Sequence, residues 1–413
     1  MAATPPVAAQ AEPVRPKWGH HVSLWQWRRP AFWVYAVIMV GSLLASLFFQ
    51  ATFAGLSPVG WVMSWFLLLL YAVPVFIFIY VLDLYEREPL SLVFGSLLWG
   101  AFAATILSLI AQSGWDGVLT NLLGSSATEW MPAVSAPITE EITKGAGVIF
   151  IYLIAREEMD DIMDGFVYGA MAGLGFTVVE DVFYFVGVFG GTPSGVLEGF
   201  FIRVVAGGLY GHVLYSGLFG IGVAYFVSRR REASTGRRLA VAGGLIFLSM
   251  FSHFLWNSPL LYFYPDTLSS PIDYLQVIFA TAVKGMPFLA FLILMISLAR
   301  RREHRWLRAA LQTEVGLQGL HHDELVTLER PKLRRAAVRR MRANSGPVPA
   351  QTLKRLQKAH IDLAMIRSKV HEDDHPDLVR QRSYIESLRN WLVQATGHRG
   401  STLAWNVQQP PTQ

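Results

Sequence analysis

Cysteine is absent from all 413 residues, which excludes disulfides, thiolate zinc sites and cysteine nucleophiles together. Charge is scarce as well. Charged residues make up 16% of the chain and hydrophobic ones 53%, where a soluble globular chain has about 25% and 45–50%. The scarcity is local: no charged residue occurs from Ala31 to Leu82, or from Pro89 to Trp115. Both runs exceed the roughly 20 apolar residues that cross a bilayer as a helix. A net charge of +5 raises nucleic acid as a partner, but 20 of the 35 Lys and Arg lie beyond residue 300. Basic residues gathered after the last apolar run read as a cytoplasmic tail, so no nucleic-acid partner is expected.

What is present is a series of apolar segments. They predict an all-α fold, a polytopic membrane helix bundle of about eight transmembrane helices with a helical cytoplasmic tail. The expected spans are 31–49, 61–82, 91–111, 135–155, 162–189, 201–228, 239–257 and 274–299. Residues 1–30 form an Ala- and Pro-rich disordered arm, 31–299 the membrane-embedded domain and 300–413 a basic helical tail. The stretch after Arg28 and Arg29 is too long for the apolar core of a cleaved signal peptide and is expected to span. The connections after spans one, three, five and seven hold no Lys or Arg, whereas the alternate ones carry Arg87, Arg156 and the Arg229–Arg238 group. The positive-inside rule then places both termini in the cytoplasm of a bacterial-type inner membrane. The tail is expected to break near Ser345–Pro349 and to cover the cytoplasmic face or lie on anionic lipid. Gly165, Gly169 and Gly173, like Gly207 and Gly211, recur at a spacing that lets helices approach closely.

Four polar constellations interrupt the spans: Glu140-Glu141-Ile142-Thr143-Lys144, Phe176 to Glu180, His212 to Ser216, and His253 to Asn257. Only two of the chain's 11 histidines, His212 and His253, fall inside the membrane region. Residues four apart share a helix face, which sets Lys144 under Glu140, Ser216 beside His212 and Asn257 beside His253. With the alternating topology all four constellations fall in one slab between midplane and outer leaflet. Each alone could be structural: the glutamates as a helix-start feature beneath Pro137, a histidine as a bridge between helices. Together, ionisable groups at one depth point to a functional site. One class of function is acid/base hydrolysis. The other is a proton- or ion-coupled transporter using the same Glu/His cluster, against which no inverted repeat or paired broken helix is visible.

Taken in order, the Glu-Glu-x-x-Lys opening, the Phe-x-x-x-Glu and the two later His motifs resemble the PrsW family of intramembrane proteases, distant relatives of the CAAX prenyl endopeptidases. The segment from Asp83 to Pro89 resembles the acidic Glu-Pro turn of that family, and the likeness covers about residues 82–257. The resemblance implies an intramembrane endopeptidase acting on a membrane-anchored protein substrate near the extracytoplasmic side, with the lipid bilayer as the other partner. Family members in bacilli cleave an anti-sigma factor on its outer side. The implied catalytic residues are Glu140, Glu141, Glu180, His212 and His253, supported by Lys144, Ser216 and Asn257. Two routes stay open. A Glu–His pair could activate water directly, with Glu140 or Glu141 as base and a histidine stabilising the oxyanion. Alternatively His212, His253 and Glu180 could hold zinc, leaving one position for water. The prenyl relatives, described as metal-free, tilt the balance to the first.

Two further features have bland readings. His371-Glu372-Asp373-Asp374-His375 matches the zincin pattern literally, but Pro376 bars the helix that such a site needs. Lys284 is a charge within the last span and is expected to meet either a site glutamate or lipid phosphate.

Overall fold

The computed structural model describes residues 22–82, 87–124, 129–207, 211–260, 270–316, 320, 322–370 and 372–397. Most of the N-terminal arm, Asp83 to Glu86 of the acidic turn, and His371 lie outside the described residues. Among the described residues the chain is helical, with no strand, and it divides at Ala299 into two compact units.

In the first unit the apolar runs become α1 (Pro30–Leu56), α2 (Pro58–Leu82), α3 (Leu90–Leu98), α4 (Thr105–Leu123), α5 (Met131–Ile154), α6 (Ile162–Phe183), α7 (Pro193–Phe200), α8 (His212–Ser228), α9 (Thr235–Asn257) and α10 (Pro271–Gln312), the last running past the division. Wider, five-residue hydrogen-bonded turns follow α3, α6 and α7 at Trp99–Ala104, Tyr184–Val188 and Phe201–Ala206. Six of the eight expected spans coincide with stretches long and apolar enough to cross a membrane. The fourth, α5, carries Glu140, Glu141 and Lys144, and the sixth is short.

That sixth span differs from expectation. Residues 201–228 do not form one helix: a first piece runs from α7 through its wide turn to Ala206, and α8 starts afresh at His212. Glycine costs a helix interior about 1 kcal/mol relative to alanine, and Gly207 and Gly211 stand at the two sides of this interruption. His212 is therefore the first residue of α8, not its middle, and Gly211 caps the helix instead of packing within it.

Between Asp164 near its start and the Glu180-Asp181 pair near its end, helix α6 has no charged residue on any face, as a wholly enclosed helix should. Its apolar window is 100% buried, against 22% for α1 and 17% for α2, which leaves those two to face lipid. Asp161 and Asp164 close a capping box at its start. Three glycines on one face bring α8 against it. A Cβ at Gly165, Gly169 or Gly173 would lie 2.2, 2.1 and 2.1 Å from the carbonyl oxygens of Gly220, Ser216 and His212 respectively. This seam presses the backbone of His212 and Ser216 against the central helix. The wide turn after α3 works similarly on α5: buried Trp99 donates from Nε1 to the Thr143 carbonyl at 2.8 Å.

The second unit comprises α11 (His322–Glu329), α12 (Pro331–Ser345), α13 (Pro347–Lys369) and α14 (Pro376–Thr396), with the end of α10. The break between α12 and α13 falls at Gly346, whose φ of +91° favours glycine. Its core joins leucines, among them Leu328, Leu353, Leu356 and Leu392, to two buried ion pairs. Arg382 reaches Glu314 with two bonds of 2.8 Å, and Arg389 reaches Glu324 with two of 2.6 Å. Pro376 opens α14 with His375 as its cap, so the zincin-like pattern meets a helix start there.

Two outcomes test this packing. Gly173→Ala places a methyl group against a backbone carbonyl and should destabilise the protein by about 1–3 kcal/mol, read as a lower Tm. In the second unit, burial and then the nearby Arg389 guanidinium push the imidazole of His360 from 6.5 down to about 3. The unfolded chain therefore binds the extra proton first, and stability contributed by neutral His360 is lost as pH falls from about 6.5 toward 3. His360→Leu should lose less Tm than the wild type over that interval.

Candidate active site

Four helices deliver the polar constellations to one place. Glu140, Glu141 and Lys144 come from α5, Glu180 from the end of α6, His212 and Ser216 from the start of α8, and His253 and Asn257 from the end of α9. The ammonium of Lys144 sits at their centre, fully buried: its Nζ lies 2.6 Å from Glu141 Oε1 and 3.4 Å from Glu140 Oε2. It also lies 2.7 Å from His212 Nδ1 and 4.1 Å from the Phe176 ring centroid. The expected i,i+4 pairing with Glu140 is present, and the i,i+3 contact with Glu141 is the shorter one.

The two adjacent carboxylates are not equivalent. Glu141 is saturated: Oε1 faces Lys144 and His253 Nδ1 at 3.0 Å, and Oε2 accepts from Ser216 Oγ at 3.0 Å. Ser216 therefore serves the glutamate, not the expected His212. Glu140 is held more loosely, its Oε2 at 3.7 Å from His212 Nδ1 and 3.8 Å from His253 Nε2.

Hydrogen bonding assigns the imidazole tautomers. An ammonium only donates, so His212 Nδ1 accepts from Lys144, and Nε2 carries the proton donated to Glu180 at 2.9 Å. His253 donates from Nδ1 to Glu141, leaving Nε2 to accept from Asn257 Nδ2 at 3.2 Å. Asn257 also donates to the Pro132 carbonyl at 3.2 Å, which fixes its amide. The expected His253–Asn257 pairing is thus present. Tyr215 stacks on His253 with the ring centroids 4.8 Å apart.

A cavity of about 30 Å³ opens onto this cluster, room for about two waters by the volume one water centre requires. Glu140, Glu180, His212, His253 and Asn257 line it, while Glu141 and Lys144 lie behind the wall. Its far side holds residues to which the sequence assigned no role. Arg203 donates from Nη2 to Glu180 at 2.6 Å and from Nε to Asp181, with its guanidinium 3.7 Å above the Tyr184 ring. Tyr184 and Arg203 stand on the wide turns after α6 and α7, a distortion frequent where a helix aims side chains into a functional site. The available signal was the charge of Arg203 in an apolar stretch, together with the adjacent acids Glu180 and Asp181.

Lys284 does not pair with a site glutamate. Its Nζ donates to the carbonyls of Ser258 at 2.9 Å and Trp256 at 3.4 Å, at the end of α9, where a cation also complements the helix dipole.

The donor chemistry suits a divalent cation. Glu140, Glu141, His212 and His253 each offer one ligand atom, all within 4.8 Å of one another. The set differs from the triad expected of His212, His253 and Glu180: Glu180 addresses Nε2 of His212, the ring nitrogen turned away from the other donors, and is held by Arg203. Lys144 touches three of these four residues, so a metal held by all four needs its ammonium to withdraw.

A membrane-type helix bundle with buried carboxylates and imidazoles around a water-sized cavity defines a class: a hydrolytic or ion-handling centre within apolar surroundings. The comparison with known families narrows it. The model of the PrsW family of intramembrane metalloproteases matches residues 88–305, just over half of the chain, and the chain belongs to that family. Protease PrsW of Geobacillus kaustophilus is 31% identical over 107 residues, 26% of this chain. The match spans 45% of that relative's length, less than half. No solved structure matches.

Replacing Lys284 tests the end of the site. Lys284→Met strips a donor from at least two carbonyls and should destabilise the protein by about 1–3 kcal/mol, with Lys284→Arg recovering part of the loss in a thermal melt.

Proposed function

We propose that this chain is an intramembrane endopeptidase that hydrolyses a peptide bond of a membrane-anchored protein near the extracytoplasmic side. The observation that carries the reading is the division of labour between the two glutamates. Glu140 faces the water-sized cavity with both histidines, while Glu141 is buried behind it, bound by Lys144, His253 and Ser216. Glu140 is then the general base and Glu141 the residue that orients Lys144 and His253.

In the reaction, Glu140 takes a proton from the attacking water as its oxygen bonds to the scissile carbonyl carbon. The same carboxyl later returns the proton to the leaving amide nitrogen as the C–N bond breaks. Asn257 spends its two amide N–H groups on the Pro132 carbonyl and on His253 Nε2, and so holds the His253 ring in place at the cavity wall. Glu180 and Arg203 fix the plane of His212 from the other side. Were zinc held by Glu140, Glu141, His212 and His253, it would supply Lewis-acid polarisation of the substrate carbonyl. The family name supports a metal, without naming zinc, and the prenyl-endopeptidase likeness supports the metal-free route.

The basic residues of alternate connections support a multi-pass inner-membrane protein with cytoplasmic termini, which sets the cavity between midplane and outer leaflet. We take residues 31–299 as the proteolytic domain and 300–413 as a cytoplasmic tail. Among substrates, the family resemblance favours a single-pass protein of the anti-sigma-factor type.

The test is cleavage of a tagged single-pass protein by purified enzyme in proteoliposomes. Glu140→Gln should reduce cleavage by about 10²–10⁴-fold, the contribution of a positioned acid/base, with little change in Tm. Glu141→Gln should abolish cleavage and lower Tm as well, because Lys144 loses its nearest counter-charge and one of the two acceptor oxygens shared by Lys144, His253 and Ser216 becomes a donor. Cleavage surviving in Glu140→Gln contradicts the assignment. Loss of activity in a chelator, restored by added zinc, selects the metal route; indifference selects the other.

A further inference from the structure

The α12–α13 hairpin has a charge distribution that neither the bundle nor the proposed chemistry uses. Residues 331–361 contain nine Lys and Arg and no Asp or Glu. A solvated surface normally intersperses both signs. On α12 the exposed basic residues are Lys332, Arg335, Arg339 and Arg342. Their spacing of three, four and three residues confines them to an arc of about 80°, at 100° per residue. Ala337 and Met341 are buried on the opposite side. Among the described residues none of the four makes an ion pair, whereas the unit's Glu314 and Glu324 are consumed in buried pairs with Arg382 and Arg389. Helix α13 packs on α12, with Gln357 donating to the Arg334 carbonyl at 3.2 Å, and exposes Lys354, Arg355 and Lys358.

Two observations decide the partner. Beyond residue 300 the described residues hold no exposed aromatic side chain, so the base-stacking platform of a single-stranded nucleic-acid surface is missing. The unit is also reached through α10, an unbroken helix whose first part is long and apolar enough to cross a membrane. That connection tethers the hairpin to a bilayer, where phosphate headgroups are the nearest dense array of negative charge. We propose that the α12–α13 hairpin is an electrostatic docking surface for anionic phospholipid headgroups. The exposed face of α12 has no large apolar side chain to insert, so the contact is peripheral and screened by salt. It stands independently of the proteolytic reading.

The absence of cysteine permits a direct test on the full chain. Ala343 is exposed and lies about 20° from Lys332 around the helix. Ala343→Cys, labelled with a donor fluorophore, is placed in nanodiscs containing a headgroup acceptor, made of phosphatidylcholine alone or mixed with phosphatidylglycerol. Energy transfer should rise with phosphatidylglycerol, and the rise should be lost at high salt and in Lys332→Gln/Arg335→Gln/Arg339→Gln/Arg342→Gln. The lipid comparison uses the unaltered stripe, so it stands even if the fourfold variant misfolds. Equal transfer in both lipids would overturn the proposal, as would an undiminished rise in a folded fourfold variant. A response to polynucleotide without one to phosphatidylglycerol would assign the surface to nucleic acid and also overturn it.

Discussion

Carboxylates enclosed in an apolar bundle need a compensating cation, and at the centre of this one that cation is the Lys144 ammonium. It is fully buried, 2.6 Å from Glu141, 3.4 Å from Glu140 and 2.7 Å from an imidazole nitrogen. Those contacts hold together groups that would otherwise repel or neutralise one another. They also set the roles: an anchored Glu141, a looser Glu140 facing the cavity, and a His212 whose remaining proton points at Glu180. A second cation, Arg203, does the corresponding work for Glu180 and Asp181 on the far wall.

The backbone supports this arrangement by close approach. Glycines along α6 let the start of α8 press inward, and the wide turns after α3, α6 and α7 aim Trp99, Tyr184 and Arg203 off the regular helical grid. Lys284 holds the last carbonyls of α9, the helix that ends in His253 to Asn257. The catalytic reading thus depends on helix ends and helix defects more than on regular helix.

Much of this was legible from residue pattern. Long apolar segments marked α1, α2, α3–α4, α6, α9 and α10, and the polar residues that interrupt the segments of α5, α6, α8 and α9 marked the site. The Glu-Glu-x-x-Lys spacing placed an ammonium beside the glutamates, and Asn257 beside His253 followed from helical periodicity. What was not legible came from tertiary geometry. Periodicity paired Ser216 with His212, yet the seryl hydroxyl turns to Glu141 on another helix. It ran the sixth span as one helix, where Gly207 and Gly211 flank its interruption. It grouped Glu180 with the two histidines, and Glu180 does line their cavity, but the donor atoms that gather with theirs are those of Glu140 and Glu141. It did not offer Lys284 the carbonyls at the end of α9, because helix-end carbonyls carry no signature in side-chain pattern.

The most direct test of the central interaction is a double-mutant cycle between Lys144 and Glu141, read by reversible unfolding or steric trapping in bicelles. Lys144→Met alone leaves buried carboxylates uncompensated and should cost about 3–5 kcal/mol. Adding Glu141→Gln should recover part of that loss, making the double variant more stable than Lys144→Met. Losses that add within about 0.5 kcal/mol, as independent sites do, would contradict the account, because the ammonium would then not be what holds the cluster together.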